Sequence, residues 1–153
     1  MPIPDFNQYG WLPEGRFDTT REEINGRYLQ NPNRSAIWMK FEQFMAEVAA
    51  LPWAASIQAY FLDGGFTSNK PATKDIDVVL DLSGASDAVL WDAVTWITTH
   101  QPRVMSDYQV DLYPYHPRMP NNLIGFFQYV KEDERIRKGA PMDIRKGLLV
   151  FRP

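Results

Sequence analysis

The stretch DIDVVLDL at residues 75–82 constrains the fold of this chain more than any other segment. Its β-branched and aliphatic residues predict a β-strand. Alternate side chains of a strand point to opposite faces, so Ile76, Val78 and Leu80 share a face suited to a core. Asp75 and Asp77 then share the other face. The segment therefore predicts a sheet with one apolar face and a pair of carboxylates on the opposite face.

A second predicted strand, YQVDLY at residues 108–113, has the same pattern, with Asp111 between Val110 and Leu112. If the two strands are neighbours, Asp111 joins Asp75 and Asp77 on one surface. Carboxylates placed side by side repel each other, and a divalent cation such as Mg²⁺ or Mn²⁺ removes that repulsion. Three carboxylates can support a two-metal site for phosphoryl chemistry. We therefore predict that Asp75, Asp77 and Asp111 bind metal and act in catalysis.

A glycine pair, Gly64-Gly65, follows a predicted buried strand at 56–62 and precedes the acidic strand. Glycine lets the backbone approach a phosphate closely with its amides pointing outward. Nearby hydroxyl and ammonium groups supply further donors and positive charge. The candidate phosphate-binding residues are Gly64, Gly65, Thr67, Ser68, Lys74 and Lys146.

The remaining patterns predict a mixture of helices and strands. A capping box, Thr20 with Glu23, opens a short helix over 20–29, and Asn33 is suited to cap the next helix. Apolar spacing predicts helices over 35–50 and 87–99 and a last strand over 147–151, while 125–130 fits a strand or a helix start. We therefore predict an α+β fold in which helices flank a small mixed sheet.

Length and composition limit the classes of protein. The chain has 153 residues, which predicts a single domain, 1–153. Within it we distinguish an N-terminal helical arm (1–30), a metal and nucleotide core (56–113) and a basic C-terminal segment (125–153). The absence of Cys excludes disulfides and thiolate ligands, and the net charge of −3 argues against avid duplex binding. The sequence has neither a secretory signal nor a membrane-length apolar run, so we expect a cytoplasmic protein without a membrane partner.

Gly-Gly, nine residues and then Asp-Ile-Asp-Val resembles the signature of the DNA polymerase beta-like nucleotidyltransferase superfamily. Asp111 matches the later strand acid of that signature, and the resemblance covers residues 56–113. A wider resemblance is to a family of small bacterial and phage nucleotidyltransferase-like proteins, whose members commonly read Asp-Gly-Ser-Phe at the turn. This chain has Gly65 where serine is usual, so Thr67 or Ser68 would have to supply the hydroxyl.

The resemblance implies a minimal nucleotidyltransferase fold, Mg²⁺ or Mn²⁺ as cofactor and a nucleoside triphosphate as substrate. It also implies transfer of a nucleoside monophosphate to an unidentified acceptor, which could be an RNA or tRNA end, a protein hydroxyl or a small molecule. Small proteins of this superfamily often belong to toxin–antitoxin or phage-defence systems, which implies a protein partner as well.

Two other functions remain open from the sequence. One is a non-catalytic module of the same fold that binds or neutralises a partner, as an antitoxin does. The other is a metal-dependent phosphodiesterase, which also uses clustered acids but needs no triphosphate cradle. Structural explanations also exist for the single motifs: the acids can be a solvated strand end, the glycines a tight turn, and the basic C-terminal residues a solvated face.

Overall fold

The computed structural model describes residues 3–153, in which five strands and five helices are formed. Two 3₁₀ turns, Ala54–Ser56 and Gly65–Thr67, flank the second strand. In chain order the strands and helices are β1 (Arg16–Thr19), α1 (Arg21–Tyr28), α2 (Pro32–Ala49), β2 (Ala59–Asp63), β3 (Ile76–Asp81), α3 (Asp87–Tyr108), β4 (Val110–Tyr115), α4 (Leu123–Phe127), α5 (Glu132–Lys138) and β5 (Leu148–Phe151).

The strands form one mixed sheet in the order β1-β5-β2-β3-β4. The β1–β5 and β3–β4 pairs are parallel, whereas β5–β2 and β2–β3 are antiparallel. This arrangement confirms the predicted α+β class with a small mixed sheet flanked by helices. It also places the two acidic strands, β3 and β4, side by side, as the site prediction requires.

The two faces of the sheet carry different clusters of apolar side chains. The larger cluster lies between the sheet and helices α1, α2 and α3, and it includes Phe41, Phe44, Val78 and Leu112, all inaccessible to solvent. The alternation of β3 and β4 turns Val78 and Leu112 to this face of the sheet and the acids of the two strands to the other face. The smaller cluster lies on the acidic face, where Ile124 of α4 packs with strand residues. Burial on both faces holds the acidic strands in fixed register.

Helix starts follow local sequence signals. Thr20 and Glu23 form the predicted capping box, in which the Glu23 carboxylate accepts a hydrogen bond of 2.9 Å from the Thr20 amide. The predicted cap at Asn33 is wrong, because α2 begins at Pro32 and is capped by Asn31. Proline has no amide hydrogen and fits the first turn, so the helix starts before Asn33. The Asn33 side chain bonds instead to the backbone of Thr73.

Elements that differ from the sequence prediction include α3, β4 and β1. Helix α3 continues through Pro102 to Tyr108 and ends where Gln109 adopts a left-handed conformation with φ of 53°. Strand β4 runs through Pro114, which an edge strand accommodates because its outer side needs no amide donor. Strand β1 lies within the predicted arm, where its sequence lacks a clear alternation.

None of the helices formed between residues 3 and 153 combines the length and the apolar character needed to cross a bilayer.

Candidate active site

Three carboxylates stand in one row across three neighbouring strands. Asp77 of β3 is the register partner of Asp63 on β2 and of Asp111 on β4. Register partners project to the same face of a sheet, so these side chains lie next to each other. Asp75, two residues before Asp77, extends the group along the chain. Sequence reasoning identified Asp75, Asp77 and Asp111 but gave no role to Asp63, although this residue directly follows the predicted strand 56–62 and precedes the glycine pair.

The three predicted acids line one pocket of about 860 Å³. The structure therefore brings Asp75, Asp77 and Asp111 to a common space, as the spatial prediction required. Most of the predicted phosphate-binding residues line the same pocket, namely Gly64, Gly65, Ser68, Lys74 and Lys146. Thr67 does not line it, because its buried hydroxyl donates to the carbonyl of Gly64.

Burial and like charge make the ionised form of Asp77 costly. Desolvation is the largest effect, and the neighbouring carboxylates of Asp63, Asp75 and Asp111 add to it, so the pKa of Asp77 rises to about 7. Burial and then Asp111 raise the pKa of Asp75 as well. Such shifts mark carboxylates that lack sufficient positive charge nearby, and they are frequent at functional sites.

A buried ion pair closes one side of the pocket. Asp63 is 2% exposed, and its Oδ2 lies 2.9 Å from Nζ of Lys146, whose side chain is 18% exposed. Burial raises the pKa of Asp63, while the Lys146 ammonium opposes that rise. Because Lys146 also lines the pocket, its positive charge faces both Asp63 and the pocket.

Asp111 is oriented by a neighbouring phenol. The Tyr113 hydroxyl donates a hydrogen bond of 3.0 Å to Oδ2 of Asp111. Burial, followed by the charge of Asp111, raises the pKa of Tyr113 to about 12. The phenol therefore keeps its proton near neutral pH and remains a donor to the carboxylate.

The glycine turn lies against the acids. Gly64 has φ of +84°, and a Cβ atom on it would lie 2.6 Å from Oδ2 of Asp77. Only glycine combines this backbone conformation with so close an approach. At Gly65 a Cβ atom would meet Thr73 Oγ1 at 3.0 Å, a tight contact without an unfavourable φ. The Ser68 hydroxyl already donates to the Gly65 carbonyl at 2.8 Å.

Arg34 of α2 binds the backbone of this turn, a role that sequence reasoning missed. Its buried guanidinium donates hydrogen bonds to four carbonyl groups of the loop, those of Gly65, Phe66, Ser68 and Lys70. It also lies over the Phe66 ring, 5.5 Å from the centroid. The planar fork of arginine suits several acceptors at once. No simple sequence signal distinguishes it from a surface arginine at a helix start.

The carboxylates of the pocket are suitable ligands for a divalent cation, but they are not arranged as a complete metal site. Within residues 3–153 no three His, Cys, Asp or Glu side chains are close enough together to count as a formed metal centre. Carboxylate oxygens are nevertheless the ligands that Mg²⁺ prefers, and a cation among them would offset the cost of ionising Asp77. Asp75, Asp77 and Asp111 are the residues that would hold it.

Comparison with known proteins gives a family. Residues 4–147 match the model described as Family of unknown function (DUF6932), and the chain belongs to that family. No curated protein and no solved structure matches the chain.

Proposed function

We propose that this protein is a metal-dependent nucleotidyltransferase that moves a nucleoside monophosphate from a nucleoside triphosphate to an acceptor hydroxyl and releases pyrophosphate. The observation that carries the proposal is the position of Asp77. It stands in register with Asp111 on the adjacent strand and against the backbone of Gly64. Carboxylates for a cation and a glycine turn for a phosphate thus meet at one side chain.

The proposed reaction assigns roles to several residues of the pocket. Asp75, Asp77 and Asp111 would hold Mg²⁺ or Mn²⁺, which would supply positive charge for the transferring phosphoryl group and lower the pKa of the acceptor hydroxyl. The Gly64–Gly65 backbone, with Lys74 and Lys146, would bind the phosphates. Tyr113 keeps Asp111 in orientation through its hydrogen bond.

The molecule that accepts the nucleoside monophosphate is not identified by the pocket. An RNA or tRNA end, a protein hydroxyl and a small molecule are all compatible with an open pocket of this size. Incubation with each labelled nucleoside triphosphate, Mg²⁺ and a cell extract identifies the acceptor as the molecule that becomes labelled. A labelled protein or RNA is the result expected for a toxin–antitoxin or phage-defence role, and a labelled small molecule would argue against one.

A second candidate function is a non-catalytic module that binds a protein partner. This alternative is favoured because the hydroxyl groups of the turn already donate hydrogen bonds within the protein. Thr67 and Ser68, the residues expected to replace the serine that Gly65 lacks, both donate to carbonyls of the turn itself. On this alternative the acidic row remains as part of the inherited fold, and nucleotide binding is lost.

Thermal denaturation with nucleotide distinguishes the two functions. The transferase should gain melting temperature with a nucleoside triphosphate and Mg²⁺ together, more than with either alone. Asp77→Asn should remove this gain, whereas Asp81→Asn, on the same strand but outside the pocket, should keep it. If no triphosphate with Mg²⁺ or Mn²⁺ stabilises the wild type, the transferase proposal is abandoned.

A further inference from the structure

Beside the acidic row, the same face of the sheet becomes aromatic. The next register partners along the strands are Phe61, Val79 and Tyr113. Helix α4 packs on this part of the sheet, with the Phe127 ring 5.2 Å from that of Tyr113. Since the Tyr113 hydroxyl bonds to Asp111, the surface of α4 begins directly next to the acids.

One ring of α4 is left uncovered on this surface. Phe126 is 63% exposed and lines the acidic pocket together with Leu123 and Phe127. Its ring meets the Phe127 ring edge to face, with centroids 5.6 Å apart and planes at 83°. Phe127 packs against Tyr113, and Phe126 packs against Phe127, so the exposed Phe126 ring is held in position by partly buried neighbours. We name Leu123, Phe126 and Phe127 the α4 wall.

We propose that the α4 wall binds the base of the nucleoside triphosphate, with the Phe126 ring stacked on it. This inference rests on the proposed function and adds the part of the substrate that the acids and lysines do not recognise. Every nucleobase has a π-face, and stacking on an aromatic side chain is a recurrent way of binding it.

The order of groups across the sheet matches a nucleotide. Gly64 follows β2, the acids lie on or directly before β3 and on β4, and the α4 wall contacts β4 through the Phe127–Tyr113 ring pair. Neighbouring strands are about 5 Å apart, so roughly 10 Å separates β2 from β4. With its terminal phosphates at Gly64 and Lys146, a triphosphate would cross the acids and bring its nucleoside to the wall.

The chemistry of the wall also predicts its selectivity. The three side chains are pure hydrocarbon and offer no hydrogen bond to the edge of a base. Stacking alone discriminates weakly between bases. Purine and pyrimidine triphosphates should therefore both bind, with the larger purine ring favoured through its greater contact area.

Calorimetric titration of the full chain in Mg²⁺ tests the inference with three probes: ATP, CTP and inorganic triphosphate. Wild type should bind ATP and CTP more tightly than inorganic triphosphate. Phe126→Ala should weaken ATP binding by about ten-fold and leave inorganic triphosphate unchanged. Phe126→Trp should retain ATP affinity. Met142→Ala, which removes another exposed hydrophobic side chain (85% exposed) that does not line the pocket, is the matched control.

The outcomes separate this inference from the proposed function. Equal wild-type affinity for ATP and inorganic triphosphate, or an equal loss of both in Phe126→Ala, would overturn the base-binding wall and leave the phosphate site standing. If the wild type binds none of the three probes, the wall and the proposed transferase function are both overturned.

Discussion

Nζ of Lys146 lies 2.9 Å from Oδ2 of Asp63, joining the residue before the glycine turn to the segment that leads into β5. Both side chains are largely buried, and both lie beside Asp77 and contribute to its pKa. The pair therefore holds the Lys146 ammonium beside the carboxylates that line the pocket. It also ties two distant parts of the chain together at the candidate active site.

Removing one partner of this pair should destabilise the fold strongly. Lys146→Met leaves the Asp63 carboxylate buried without its counter-charge, which typically costs about 3–5 kcal/mol of unfolding free energy. Asp63→Leu combined with Lys146→Met should recover most of the loss, because neither charge remains buried. Urea denaturation measures both values.

The exposed pair Arg118–Asp87 is the control for that experiment. Arg118→Met should change the unfolding free energy by less than about 1 kcal/mol, as exposed ion pairs usually do. If Lys146→Met costs no more than Arg118→Met, the buried pair is not a structural unit.

The raised pKa of Asp77 predicts a pH dependence of stability. Its pKa is about 7 in the folded chain, against an ordinary value of 3.8. Between these values the folded state keeps a proton that the unfolded state loses, so rising pH lowers stability across this window. This loss of stability is complete above the pKa of Asp77 in the folded state and absent below its ordinary pKa.

Asp77→Asn should abolish this loss of stability at high pH. We expect its melting temperature to equal or exceed that of wild type at about pH 8, with the difference disappearing near about pH 4. Nucleotidyl transfer should be lost although the core face of β3 is unchanged. A variant that melts lower than wild type at high pH would instead indicate an Asp77 that stabilises the fold.

The two glycines of the turn should respond differently to serine. Gly64→Ser should destabilise the chain, because φ is +84° and Cβ would lie 2.6 Å from Oδ2 of Asp77. Gly65→Ser needs only a small shift of the Thr73 hydroxyl, 3.0 Å away, and places a new hydroxyl in the pocket.

Paired measurements of melting temperature and triphosphate affinity test this contrast. Gly65→Ser should fold normally and bind inorganic triphosphate with Mg²⁺ more tightly than wild type. Weaker binding by Gly65→Ser, with the fold intact, would mean that this position does not face a phosphate.

We expect the planar guanidinium of Arg34, rather than its positive charge alone, to keep the glycine turn ordered. Arg34→Lys keeps the charge but loses the planar fork that reaches four carbonyls. We expect faster amide exchange at Ser68, Asn69 and Lys70 in this variant. Arg21→Lys, at an exposed ion pair with Glu42, is the control and should leave those amides unchanged.

Local patterns were sufficient for much of the fold. The alternation in 75–82 located β3 and assigned Asp77 to the face opposite Ile76 and Val78, and the capping box located the start of α1. Regular periodicity depends on contacts between near neighbours, so it is visible in sequence. The end of α3 was missed because Pro102 breaks the expected pattern without breaking the helix.

The sequence by itself determined which residue types lie on each face of the acidic strands and that a glycine turn precedes them. Only the tertiary structure decided which strands are neighbours, and therefore that Asp63 joins the row of acids and that Lys146 opposes it. The same holds for Arg34 beneath the turn and Phe126 beside the acids. Strand order and helix docking arise from contacts between segments far apart in the chain, and no local periodicity encodes those contacts.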